Sequence, residues 1–145
     1  MIDILDSKAM HALMDLAAKD GYNIDDKKFE KFDWTRQIED LSFEDCTFED
    51  INFKCDEILA AKFKSCIFID CKFNSQKINE TIFKQCQFYD SISETSCSFA
   101  YCDLSATEFH HCDLSMCNLS RSGIYRTEFH HCRTQGIDLS HCANE

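Results

Sequence analysis

Eleven cysteines and six histidines in 145 residues hold most of this chain's capacity for chemistry. Cysteine at that density points to a disulfide scaffold, a zinc centre or a reactive thiol, and spacing decides among them. Cys66 and Cys71, like Cys112 and Cys117, have four residues between them, close to the separations that zinc sites use. The histidines cluster as well. Thr-Glu-Phe-His-His-Cys occupies 107–112 and returns at 127–132, so His110, His111, His130 and His131 form two identical pairs. Neighbouring imidazoles could bind zinc or act as a pH-sensitive patch.

What positions these side chains is a repeat. A large apolar residue returns at every fifth position as Phe43, Phe48, Phe53, Ile58, Phe63, Phe68, Phe73, Ile78, Phe83 and Phe88. It resumes as Phe99, Leu104, Phe109, Leu114, Leu119, Ile124, Phe129 and Leu139. Small residues lie two places earlier, among them Cys46, Ala61, Cys66, Cys71, Thr81, Cys86, Cys97 and Cys102. A period of five fits neither a strand nor a helix, so the chain must turn every five residues. The simplest closed coil is a square of about twenty residues per turn. Stacking residues twenty apart gives one column of Phe48, Phe68 and Phe88 and another of Ile38, Ile58 and Ile78. With one extra residue allowed before Phe99, the first column is expected to continue as Phe109 and Phe129, the second as Phe99, Leu119 and Leu139. Coils paired like parallel strands rise about 4.8 Å each. About five coils therefore give an all-β solenoid on the order of 25 Å long.

This geometry absorbs the cysteines. Ten of the eleven, all but Cys55, fall in the small inward column, where cysteine acts as a small hydrophobe. The recurring cysteine spacing is the repeat period itself. With no signal peptide and no transmembrane run, the expected setting is a reducing cytoplasm with free, buried thiols. Exposed imidazoles without supporting groups make a weak site, so the histidines read as a surface ladder generated by the repeat. Neither a metal nor another cofactor is expected. No nucleophile sits beside a base in a pocket and no glycine-rich phosphate loop is present, so the chain reads as non-enzymatic.

Proline is absent and glycine occurs three times, which leaves no linker and predicts one domain over 1–145. Its parts are an N-terminal helix and connector over 1–28 and the repeat over 29–142. Leu5, Ala9, Leu13, Leu16 and Ala17 follow helical spacing between Ile4 and Asp20, with Asp3 or Asp6 to cap the start and Gly21 to end it. Solenoids need capped ends, and this helix is expected to cover the first coil. At the other end the repeat still runs at Leu139 and Cys142, so an apolar cross-section there predicts an end-to-end homodimer.

The net charge of −11 argues against direct nucleic-acid binding. Acids concentrate as Glu39, Asp40, Glu44, Asp45, Glu49, Asp50, Asp56 and Glu57, with Lys54 as the one cation between 39 and 57. This collar either aids solubility or lets a rigid rod display carboxylates as a duplex displays phosphates, occupying a DNA-binding protein's basic groove. The count of five fails once. Between Phe88 and Phe99 lies Tyr89-Asp90-Ser91-Ile92-Ser93-Glu94-Thr95-Ser96, which reads as a loop replacing one side of one coil. A break in a regular scaffold is a natural place for specific recognition.

Three words stand out in the second half: Cys86-Gln87-Phe88-Tyr89-Asp90, Cys112-Asp113-Leu114-Ser115-Met116 and His131-Cys132-Arg133-x-Gln135-Gly136-x-Asp138. They resemble the Qnr quinolone-resistance proteins of the pentapeptide-repeat family. The Qnr-like stretch covers about residues 83–142, and the wider repeat pattern about 38–142. The resemblance implies a right-handed quadrilateral β-helix that binds DNA gyrase or topoisomerase IV and protects it from quinolones, with the Tyr89–Ser96 loop contributing. The expected function is a DNA-mimicking regulator of type II topoisomerase, with no membrane partner. The alternative is a generic interaction scaffold or secreted effector module with an unrelated partner.

Overall fold

The computed structural model describes residues 3–21, 23–74 and 77–144. Short parallel strands stack coil upon coil into a four-sided β-solenoid, preceded by one helix. On one side Ile24, Phe43, Phe63, Phe83, Phe109 and Phe129 follow one another up the tube. The other sides stack Phe29, Phe48, Phe68 and Phe88, then Trp34, Phe53, Phe73 and Phe99, then Ile38, Ile58 and Ile78. Rings within a column are stacked nearly parallel, as with Phe63 and Phe83 at 4.9 Å and Phe83 and Phe109 at 5.0 Å. Rings of adjacent sides meet edge-on, as Phe83 meets Phe88 at 5.3 Å and 75°. Both arrangements are favoured by aromatic quadrupoles, and together they fill the tube.

The small inward residue does more than leave room. Cys86 Sγ donates to the Phe63 carbonyl in the coil below at 3.3 Å, and Cys112 and Cys132 do the same to Phe83 and Phe109. Thr107 and Thr127 use their hydroxyls on Ile78 and Leu104. A short side chain with a donor therefore reaches a carbonyl inside the wall, which explains why the column alternates among Cys, Thr and Ser. All eleven cysteines are free thiols, nine of them buried. Cys55 is buried too, at 1% exposure. It turns inward at the corner after Phe53, where the equivalent corners after Phe43 and Phe48 carry the outward Asp45 and Asp50.

Corners are made by a residue in the left-handed region, two places after the large one. Asp45, Asp50, Ser65, Asp70, Gln85, His111 and Met116 all have φ between 50° and 61°. In the upper coils a turn hydrogen bond closes the corner, such as Cys102 N to Phe99 O at 3.1 Å and Cys117 N to Leu114 O at 3.1 Å. Each non-glycine residue held there costs about 1–2 kcal/mol, offset by the coil-to-coil hydrogen bonds that the turn permits.

The helix α1 runs Ser7–Asp20 rather than from Ile4. Asp6 caps it by accepting from Ala9 N at 2.9 Å, and Gly21 ends it at φ 67°. Ile4–Leu5 is instead a strand paired with Lys28–Trp34. The buried face is Met10, Met14 and Ala17 with Leu13 beside it, while Leu16 is half exposed. This stripe lies one step round from the expected one, because methionine fills the irregular gap over the first coil. Arg36 fixes the helix from below through the His11 carbonyl at 3.1 Å and Asp15 at 2.6 Å. Strand pairing also begins ahead of residue 29, since Ile24–Asp25 already pairs with Phe43–Glu44.

Candidate functional site

Tyr89–Asp90 and Thr95–Ser96 form an antiparallel hairpin on the outside of the solenoid. No side of the coil is replaced, which corrects the reading of the break. Phe83 pairs with Phe109, a step of 26 residues, where Phe63 pairs with Phe83 at a step of 20. Phe88 therefore lies below Leu114, not Phe109, and Phe99 stacks on Phe73, not Ile78. The insertion is six residues hung on an ordinary corner. Cys97 N donates to Phe88 O at 3.0 Å, the same bond that closes uninterrupted corners. Ser93 does not face the tube; it is exposed in the turn.

The hairpin is internally braced. Asp90 accepts from Ser93 N at 2.9 Å and Ser93 Oγ at 2.6 Å, and these bonds hold its carboxyl below the usual range. Ser93 Oγ also meets Thr95 Oγ1 at 2.8 Å, and Ser96 Oγ ties the hairpin to the next coil through Met116 O at 2.8 Å. Ile92 stands at the tip with 93% of its surface exposed. An apolar residue held outward on a braced turn is a ready anchor for a partner pocket.

Beside the hairpin lies an open groove of about 560 Å³ lined by Gln87, Tyr89, Asp90, Ser91, Asp113, Ser115, Met116, Arg133 and Gln135. Its floor is the ladder Gln87, Asp113 and Arg133 on three successive coils. The words at 86–90, 112–116 and 131–138, distant in sequence, are thereby brought onto one face around the hairpin. Met116 lies over Gly136, where a β-carbon would come within 2.2 Å of the sulfur and φ is +73°. Met116 and Arg133 belong to the Qnr-like words, but their place beside the hairpin is not evident from the words themselves. Their signal is the coil register, legible only once the insertion is counted as six.

The acidic collar surrounds one coil. Glu39 and Asp40, Glu44 and Asp45, Glu49 and Asp50, and Asp56 and Glu57 lie at successive turns between Ile38 and Ile58. It is also less bare than a window of sequence implies. Lys28 from the coil before reaches Glu49 at 3.6 Å, and Lys64 from the coil after reaches Glu44 at 3.6 Å, while Lys54 turns to Asp33 at 3.3 Å. Of the eight acids, Asp50 shares the hairpin's edge, followed one coil up by Asp70. At the far end Leu139 is 44% exposed and Cys142 half-buried.

The histidine ladder forms as expected, with His110 over His130 at 4.6 Å and His111 over His131 at 5.1 Å. Its supporting groups do exist. Glu108 and Glu128 each place a carboxylate oxygen 2.8 Å from the Nε2 of His110 and His130.

Packed columns inside and a braced hairpin with its groove outside define a repeat solenoid with one elaborated corner. The family model described as pentapeptide repeats (8 copies) matches residues 95–122. The chain carries pentapeptide repeats over that stretch and resembles the Qnr quinolone-resistance proteins. A trypsin-treated form of QnrB1, a plasmid-mediated fluoroquinolone resistance protein, is 26% identical with a TM-score of 0.61 over 78% of this chain and 48% of that one. Full-length QnrB1 gives 26% and 0.58 over 75% of this chain and 48% of that one. The chain thus spans about half the length of QnrB1. Rfr23, a pentapeptide-repeat protein from the cyanobacterium Cyanothece 51142, shares the fold at 9% identity and a TM-score of 0.56 over 94% of this chain and 100% of that one. No curated protein matches the sequence. Among the described residues, no helix is long and apolar enough to cross a membrane.

Proposed function

We propose that the chain binds a type II topoisomerase, DNA gyrase or topoisomerase IV, and modulates it or its response to quinolones. The observation that carries this reading is the convergence of the three Qnr-like words on the face that bears the hairpin. Ile92 would enter an apolar pocket of the enzyme, and the braced Asp90 turn would hold it in place. Asp50, Asp70 and Asp90 rise toward the tip along one edge, about 4.8 Å per coil. Carboxylates so arranged attract a basic DNA-binding groove and raise the encounter rate. The rest of the collar contributes to the field without contact. The mechanism involves no bond making, so the chain acts by occupancy alone.

Self-association through the exposed Leu139 end is a separate proposal. Light scattering of the intact chain and of Leu139→Glu tests it, with a dimer expected for the first and a monomer for the second.

The functional test is gyrase supercoiling with and without a quinolone. Intact protein should shift the inhibition curve or slow supercoiling, and a variant lacking Asp90–Thr95 should do neither while keeping its fold. Equal activity of the two proteins would assign the effect to another surface. No effect of the intact protein would favour the alternative of a generic interaction scaffold or secreted effector module with an unrelated partner.

A further inference from the structure

We propose that Glu108, His110 and His130, with Glu128 alongside, form a binding site for a divalent transition metal on the upper coils. In each Glu-Phe-His strand the phenylalanine turns into the tube, so the flanking glutamate and histidine share the outer face. Parallel pairing then places Glu108 beside Glu128 and His110 beside His130. The two imidazoles are stacked at 4.6 Å and 6°. One donor atom each from Glu108, His110 and His130 lies within 4.8 Å of the others.

The distances suit a metal. Bonds of about 2.0–2.1 Å to nitrogen and oxygen require adjacent donors roughly 3 Å apart. His110 Nε2 and Glu108 Oε1 already stand at 2.8 Å. A metal ion takes the place of the hydrogen between them, with the His110 imidazole binding through Nε2 and keeping its proton on Nδ1, and a swing of the His130 ring supplies the second nitrogen. Two imidazoles with carboxylates favour zinc, nickel, cobalt or copper over magnesium and calcium. His110 and Glu108 are half-buried, at 27% and 34% side-chain exposure. Their backbones are fixed by the coil ladder, so little ordering remains for the metal to impose. The site is on the column of Phe109 and Phe129, away from the Gln87–Asp113–Arg133 face. It therefore stands or falls independently of the topoisomerase reading.

Calorimetric titration of the reduced, full-length chain with zinc chloride and nickel chloride tests this, together with X-ray absorption at the zinc edge. We expect one ion per chain and a shell of nitrogen and oxygen alone. His130→Asn and Glu108→Gln should each weaken binding about ten-fold or more, with far-ultraviolet dichroism unchanged. The double variant His111→Asn/His131→Asn should bind within about two-fold of the original. Absence of binding at about 100 µM metal, sulfur in the shell, or loss of binding in the His111/His131 double variant would each overturn the assignment.

Discussion

Deleting Asp90–Thr95 should leave the solenoid as stable as before, whereas the smaller deletion of Ser91–Thr95 should weaken it. After the six-residue deletion Phe88 is followed by Tyr89, Ser96, Cys97, Ser98 and Phe99, which restores a spacing of five. Ser96 becomes the corner residue and Cys97 keeps both its inward place and its bond to Phe88 O. Shortening the closed loop from about nine residues to three recovers roughly 1 kcal/mol of closure entropy. Holding Ser96 in the left-handed region costs about 1–2 kcal/mol, as Ser65 and Asp70 already do. The two nearly cancel, so the melting temperature should move by no more than roughly 2–4 °C.

The five-residue deletion leaves Tyr89, Asp90 and Ser96 in a corner built for two. Slipping the upper coils by one residue is excluded, since it would turn Phe99, Leu104 and Phe109 outward at about 1.5–3 kcal/mol each. The surplus residue must bulge and break the Cys97–Phe88 bond. A lost bond with a carbonyl left unpaired costs roughly 2 kcal/mol. Urea denaturation followed by circular dichroism ranks the two. If the smaller deletion proves equal or superior in stability, the hairpin is not hung on a normal corner and the six-residue account is wrong.

Further outcomes follow for the core, the thiols and the corners. Phe83→Ala removes a fully buried ring stacked between Phe63 and Phe109 and should cost about 3–5 kcal/mol, while Ile92→Ala should change stability by less than about 0.5 kcal/mol. Burial pushes the Cys55 thiol up to about 11 and Cys117 up to about 12 from 9.0. A raised folded value means the native state holds the proton more tightly, so this stability is complete below pH 9 and lost as pH climbs toward 11 and 12. Urea midpoints in reductant should accordingly fall across that window, and Cys55→Ala should flatten the slope. Gly136→Ala should cost about 1 kcal/mol for its left-handed φ and displace Met116, read as a shift of the methionine methyl resonance.

The columns were legible because the interior accepts one large and one small residue per side, and both leave a period of five. That same regularity hid the size of the insertion. Eleven residues from Phe88 to Phe99 read equally well as two sides plus one residue or as one side plus six, because adding a whole pentapeptide leaves the local pattern intact. The pairing between coils, such as Phe83 with Phe109, separates the two. The partial pairing of the collar was hidden for a related reason, since Lys28 and Lys64 approach Glu49 and Glu44 across coils and not along the chain. Corner residues could have been read directly, because Asp45, Asp50, Ser65 and Asp70 recur two places after the large residue and Asp and Ser favour turns. The carboxylates beside His110 and His130 were also within reach, two residues back on a strand and so on the same face.

Direct binding of the purified chain to DNA gyrase, measured by surface plasmon resonance alongside the Asp90–Thr95 deletion, tests the central claim most closely. The intact chain should bind, more tightly at low ionic strength because carboxylates drive the encounter, and the folded deletion variant should not. Absence of binding by the intact chain at about 50 µM, or equal binding by both, would contradict it.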